Sequence, residues 1–414
     1  MKIKCLSLCS FLLYATITYS QPGPNVQFQK YARECDSMLH KLYEKRDVKT
    51  YQNLLNEFLS KYKSLSAEDQ KAFAGFTGGA WYNLSCAYSL INNKPLALET
   101  LEKAIQAGYY NYPHIQEDAD LNNIRNEQKF KTLVDPLRSI SDYLYILQNA
   151  AAYNVNDNRQ LPLFTYQNSD NTNLASLRKT FNLDSIAGTG NEVSKIINLM
   201  HWMHNLVPHD GNHGNPDIKN AMNMIAVCKR ENRGLNCRGL AMALNECYLA
   251  LGFKSRFVTC LPKDSLGIDN DCHVINAVYS NTAKKWLWID PTNDAYVMNE
   301  KGELLSIEEV RERLIQNKPL IVNPDANWNH RESETKEYYL NYYMAKNLYM
   351  LQCNVNSEYD TETFVKGKTV TSITLLPLDY FKQTPDKTEQ LNKQNGTTFI
   401  HYNTNNPTLF WKAP

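Results

Sequence analysis

Cys237, His273 and Asp290 have the residue types, in order, that nucleophilic acyl transfer needs. A thiol attacks as its thiolate, an imidazole takes and returns the proton, and a carboxylate holds the imidazole in one tautomer. The segment around the cysteine, residues 233–252, reads RGLNCRGLAMALNECYLALG. Asn236 is a good N-cap. Cys237 then opens a helix whose apolar stripe runs through Leu240, Ala241, Leu244, Tyr248 and Leu251, and Gly252 is placed to end it. Unpaired backbone N–H groups and the dipole at such an N-terminus favour the thiolate.

Strands follow. FKSRFVTCL (253–261) is β-branched and aromatic, as are CHVINAVYS (272–280) and WLWID (286–290). A short polar turn joins the last two into an antiparallel hairpin. The expected register pairs His273 with Asp290, Ile275 with Trp288 and Ala277 with Trp286, with all six on one face. It sets an imidazole beside a carboxylate, close after a helix that carries a thiol.

The stretch 233–295 resembles the transglutaminase-like superfamily, whose core has the papain-like arrangement of a helix-borne Cys and strand-borne His and Asp. NCRGLAMALNECYLALGFKSRFV resembles its cysteine helix and first strand, HVINAVY its histidine strand, and WLWIDPTN its aspartate strand. The resemblance implies an α+β fold with the cysteine helix packed on an antiparallel sheet. It implies Cys237 as nucleophile, His273 as general base and acid, and Asp290 as the orienting carboxylate. Part of the turn VPHDG (207–211) would line the cleft. Trp202, His209 and Asn236 are candidate cleft or oxyanion residues, and the backbone N–H of Cys237 is the safer donor. Two positions depart from the family pattern. Ile275 and Ala277 stand where a Trp and an acidic residue are common. A peptidase or amidase is the favoured reading. A crosslinking transglutaminase and a silent, peptide-binding domain of the same fold remain as alternatives. Cys272 is expected in the core or in a disulfide, and Cys247 in packing.

The elements that must hold this site begin earlier. Residues 1–20 read as a signal peptide: Lys2 and Lys4, an apolar run from Leu6 to Ile17, then Thr18 and Ser20 before Gln21. Export to the periplasm or medium is therefore expected, with eight of the ten cysteines retained. Residues 21–150 read as helices. Trp81, Leu84, Ser85, Tyr88, Ala97, Leu101 and Ala104 resemble one tetratricopeptide repeat, with Ser85 where that repeat has Gly. One repeat cannot bury its own face, so a scaffold is favoured over a peptide groove, though a protein partner there stays open. The catalytic domain is expected over 151–330. Residues 331–414 read as an extension packing on it, and the tyrosines 338, 339, 342 and 343 as core.

Composition narrows the partners. Lys and Arg total 44 against 43 acidic residues, a net charge of +1, which lacks the basic excess that tracking a phosphate backbone needs. Mean hydropathy is −0.51, and no run after the first twenty residues is long and apolar enough for a membrane span. The histidines His201, His204, His209 and His213 lack the spacing and carboxylate partner of a zinc site, so no metal or cofactor is expected. The expected partner is a peptide or protein substrate.

Overall fold

The computed structural model describes residues 26–263, 271–380, 383 and 386–414; the expected signal peptide lies outside them. The chain has mixed helix and sheet and divides into two compact units, Met1–Asp142 and Tyr143–Pro414. Among the described residues no helix is long and apolar enough to cross a membrane.

In the first unit, α1 (Val26–Glu44), α2 (Val48–Lys63), α3 (Ala67–Leu90) and α4 (Lys94–Gln106) follow one another through tight turns. The starts of α2, α3 and α4 are capped by Asp47, Ser66 and Asn93, each side chain accepting a first-turn N–H. Tyr51, Leu55, Phe58, Phe73, Leu84 and Leu101 fill the core. Ser85, at the repeat's glycine position, is buried and donates its hydroxyl to the Ala97 carbonyl at 2.7 Å, joining α3 to α4.

The second unit holds α5 (Glu192–Leu206), α6 (Ala221–Glu231) and α7 (Cys237–Ala250), the cysteine helix. Its sheet has seven strands: β1 (Ser255–Leu261), β2 (His273–Ser280), β3 (Lys285–Ile289), β4 (Met350–Asn354), β5 (Thr369–Leu375), β6 (Lys387–Leu391) and β7 (Thr398–Thr404). Their spatial order is β6-β7-β5-β4-β1-β2-β3. One face packs Phe257, Val274, Val278, Leu287 and Ile289 against α5, α6 and α7. The other packs Val258, Ile275, Ala277, Trp286 and Trp288 against α8 (Ile307–Ile315) and α9 (Lys336–Met344), a wide π-type helix. The sheet is thus covered on both sides.

Two boundaries differ from expectation. The division falls at residue 142 rather than 150, because Tyr143 and Leu147 insert into the second unit's core. Residues 331–414 are no appended layer. They supply α9 and four of the seven strands, with β4 hydrogen-bonded directly to β1.

The hairpin register also differs. Ala277 pairs with Trp288 and Tyr279 with Trp286, two residues away from the expected alignment. The cause is the turn. Four residues, 281–284, separate the paired Ser280 and Lys285. Glu192 on α5 accepts the N–H groups of Asn281 and Thr282, and Lys284 takes a left-handed φ of 53°. A shift of two preserves the face of every side chain.

The cysteine helix is positioned at both ends. Asn236 caps it, accepting the Gly239 N–H at 3.0 Å, and Gly252 ends it with φ +84°. Just before it, Leu235 donates to the Pro208 carbonyl (3.2 Å) and accepts from the Asp210 N–H (2.7 Å). This bridge needs a glycine at 234. A Cβ there would fall far inside the van der Waals contact distance of the Pro208 carbonyl oxygen and 2.8 Å from the Asp210 Cβ. Gly234→Ala should therefore lower stability by about 1–3 kcal/mol, as overpacking does. Gly214→Ala, whose Cβ meets nothing within 4 Å, should cost far less. Urea unfolding midpoints of the two variants would check this; equal midpoints would refute the steric argument.

Candidate functional site

His273 is the first residue of β2, 1% exposed, and Asp290 follows the last residue of β3, fully buried. The imidazole Nε2 donates to Asp290 Oδ2 at 2.7 Å. The bond is diagonal across the hairpin, because extending the register puts Asp290 opposite Ile275.

The carboxylate is held on every side. Its Oδ1 accepts the backbone N–H of Thr292 (2.9 Å) and of Asn293 (3.4 Å) in an Asx turn, which Asp-Pro-Thr-Asn favours. Its Oδ2 accepts from Asn293 Nδ2 (3.0 Å) and the Tyr339 hydroxyl (2.6 Å). The Tyr339 oxygen in turn accepts the Trp288 indole N–H at 3.1 Å. Burial alone would raise this carboxyl, but the charge and hydrogen bond of His273 and the donors from Tyr339 and Asn293 hold it below the usual range. Burial would lower His273, yet the Asp290 charge raises it well above an ordinary imidazole.

With Nε2 committed, the remaining ring nitrogen, Nδ1, lies 3.4 Å from the Tyr343 hydroxyl on α9. Cys237 is half-buried, with its Sγ 3.9 Å from the Cys272 carbonyl. Burial pushes the thiol up, but hydrogen bonds from His209 and His273 and the charge of His273 reverse this and bring it to about 6. Helix and strand are staggered by Asn276, a fully buried side chain whose Nδ2 donates to the Ala241 carbonyl at 2.9 Å.

The other expected candidates fall differently. Asn236 is taken up by capping: its carboxamide oxygen also accepts from Asn215 Nδ2 at 2.7 Å. Trp202 is turned edge-on against Phe181 in the helical core. His209 reaches the thiol. His201 pairs with Asp294 (2.6 Å), His204 with the Pro291 carbonyl (3.1 Å) and Asn327 (3.1 Å), and His213 with Asp210 (2.5 Å). Cys272 is neither core nor in a disulfide; it is a half-buried free thiol outside β2. Cys247 is fully buried in packing.

Sequence reasoning assigned Tyr339 and Tyr343 only to the core. Their i, i+4 spacing puts both on one face of a regular helix, and the signal that this face meets an ion pair lies in the fold alone. Glu334, half-buried just before α9, was not singled out. Burial, then the charge of Asp290, pushes its carboxyl up to about 7.

No family model matches the chain. A chloroplastic protein of Arabidopsis thaliana is 30% identical over 100 residues, 24% of this chain. The chain spans 27% of that relative's length. A solved structure of a candidate cysteine protease from Cytophaga hutchinsonii overlaps 36% of this chain and 48% of that one, at 16% identity and a TM-score of 0.23.

Removing the carboxylate strands a buried imidazolium. Asp290→Asn should cost about 3–5 kcal/mol near neutral pH, the usual loss when one partner of a buried pair is removed. The sign follows from the lowered carboxyl. A depressed acid stabilises the fold above its unfolded value, about 3.9, and loses that contribution as pH falls through the folded value. The gap between wild type and variant should therefore be full at about pH 6 and narrow below about pH 4. Denaturant titrations across that range measure it, and a gap that widens on acidification would contradict the assignment.

Proposed function

We propose that this chain is an exported, transglutaminase-like cysteine hydrolase with a papain-like core, cleaving amide or peptide bonds through a thioacyl intermediate. The observation that carries the reading is a buried imidazole, held by a fully satisfied carboxylate, acting on a thiol at a helix N-terminus. Those three features are the requirements of an activated nucleophile.

The Cys237 thiolate attacks the substrate carbonyl carbon, and the carbonyl π electrons move onto oxygen. The Cys237 backbone N–H, at the first helical position, meets that oxyanion. His273, as imidazolium, gives its proton to the leaving amine as the tetrahedral adduct collapses to the thioester. It then takes a proton from water, which attacks the thioester and releases the acid. Asp290 keeps Nε2–H pointed away from the thiol, so that Nδ1 serves the chemistry. An amine in place of water would give transfer rather than hydrolysis.

Ile275 and Ala277 are what motivates the silent-domain reading. Both are fully buried in the core on one face of the sheet. Their departure from the family pattern therefore falls at packing positions.

Alkylation of Cys237 by iodoacetamide should be half-maximal near pH 6, where an ordinary thiol requires about pH 8.5. Asp290→Asn should move that midpoint upward. Incubation with a peptide p-nitroanilide library should leave an acyl adduct that mass spectrometry finds on wild type and misses on Cys237→Ala. A midpoint at the ordinary thiol value with no adduct would sink the enzyme reading. Incorporation of a primary amine in preference to water would favour the crosslinking enzyme.

A further inference from the structure

A second histidine touches the nucleophile, and its tautomer is set by a neighbour that can only donate. His209 lies in the turn between α5 and α6. Its backbone forms a parallel bridge with Leu235, two residues before Cys237. Asn329 clamps it from the other side, accepting the His209 N–H at 2.7 Å and donating to its carbonyl at 2.8 Å. The His209 backbone is therefore held from both sides. The Trp328 indole N–H donates to His209 Nδ1 at 3.1 Å. An indole nitrogen has no lone pair to accept with, so Nδ1 must be the acceptor and the ring proton sits on Nε2. The same ring faces the Cys237 sulfur and favours its thiolate. With Nδ1 engaged by Trp328, the group that faces the thiol is Nε2–H.

His273 and His209 thus differ in kind. The first has a carboxylate on one nitrogen, which favours a charged ring and a mobile proton. The second has an indole donor on one nitrogen, which fixes the ring N–H on the other. Fixed donors aimed at developing negative charge are what stabilise a tetrahedral oxyanion. Resting on the acyl-transfer reading above, we propose that His209 is a catalytic residue of that reaction: its Nε2–H is the second oxyanion donor, paired with the Cys237 N–H, and Trp328 is the positioning residue that holds the tautomer. His209 moves no proton in this scheme. It donates a hydrogen bond to sulfur at rest and to the substrate oxygen once the S–C bond forms and the C=O bond opens.

Two probes separate this role from an effect on the thiol. Iodoacetamide alkylation displaces iodide at a saturated carbon and makes no oxyanion, so it reads the thiolate alone. p-Nitrophenyl acetate acylates the same sulfur through an oxyanion and releases p-nitrophenolate. Both rates are taken on the full chain at the high-pH plateau, where the thiol is fully ionised in every variant. His209→Ala should lower acylation by about 10²-fold or more, as loss of one oxyanion donor does, while alkylation changes less than about threefold. His209→Gln, which keeps a side-chain N–H, should recover part of the loss. Trp328→Phe should give an intermediate loss. In wild type the ¹⁵N signals of the His209 ring should show a protonated Nε2 and a bare Nδ1, and Trp328→Phe should mix the two tautomers. Circular dichroism and melting curves verify that each variant is folded. Acylation and alkylation falling by the same factor in both His209 variants would overturn the proposal, since His209 would then act on sulfur only. A protonated Nδ1 in wild type would overturn it too. Wild type that alkylates with an ordinary thiol's pH dependence and is not acylated would instead fail the enzyme reading beneath it.

Discussion

The buried pair between His273 and Asp290 sets terms that the rest of the second unit has to meet. Two ionisable groups are taken out of water within 2.7 Å of each other. Their attraction repays desolvation only if the remaining lone pairs and protons are also satisfied. The carboxylate meets that condition with four further donors, two from the backbone of its own turn and two from side chains. One of them, the Tyr339 hydroxyl, comes from α9, 49 residues downstream. That requirement explains why α9 must lie over this face of the sheet. It also explains why Trp288, on the strand that Asp290 follows, turns its N–H to the same hydroxyl. The C-terminal segment is therefore part of the site's support and not an addition to a finished domain.

The same logic shows what the sequence could and could not say. The cysteine helix was legible because its signals are local: a capping Asn, a periodic stripe and a terminal Gly, each within a few residues of what it controls. The face of each hairpin residue was legible because strand side chains alternate with period two, and this parity survived the two-residue error in register. The register itself was hidden, because a carboxylate on another element, Glu192, holds the turn. Tyr339, Asn276 and Trp328 were hidden for the same reason: each acts through a partner distant in sequence. The division at residue 142 was missed because the polar, Asn-rich stretch near 150 reads as a linker, whereas Tyr143 and Leu147 already belong to the next core.

The cysteines make the physical contrast sharpest. All eight among the described residues are free thiols, and burial pushes every one of them toward the neutral form. Cys86, Cys247 and Cys260 are driven far above an ordinary thiol, and Cys272, in the residue next to His273, is pushed up to about 11. Cys237 alone goes the other way, although it too is largely desolvated. Burial therefore does not select the reactive sulfur; what selects it is the direction in which two imidazoles point. Cys272 adjoins His273 in the chain and gains nothing from it, because His273 acts on the Cys237 sulfur of α7 instead. The six buried thiols among the described residues are shielded from oxidants by lack of access and by protonation. Cys237 and Cys272 are the two half-open sulfurs among the described residues, and Cys237 is the one whose thiol is lowered. Among the described residues exposure and a lowered thiol coincide at Cys237 alone, which is the condition a nucleophile has to satisfy beside seven other unpaired thiols.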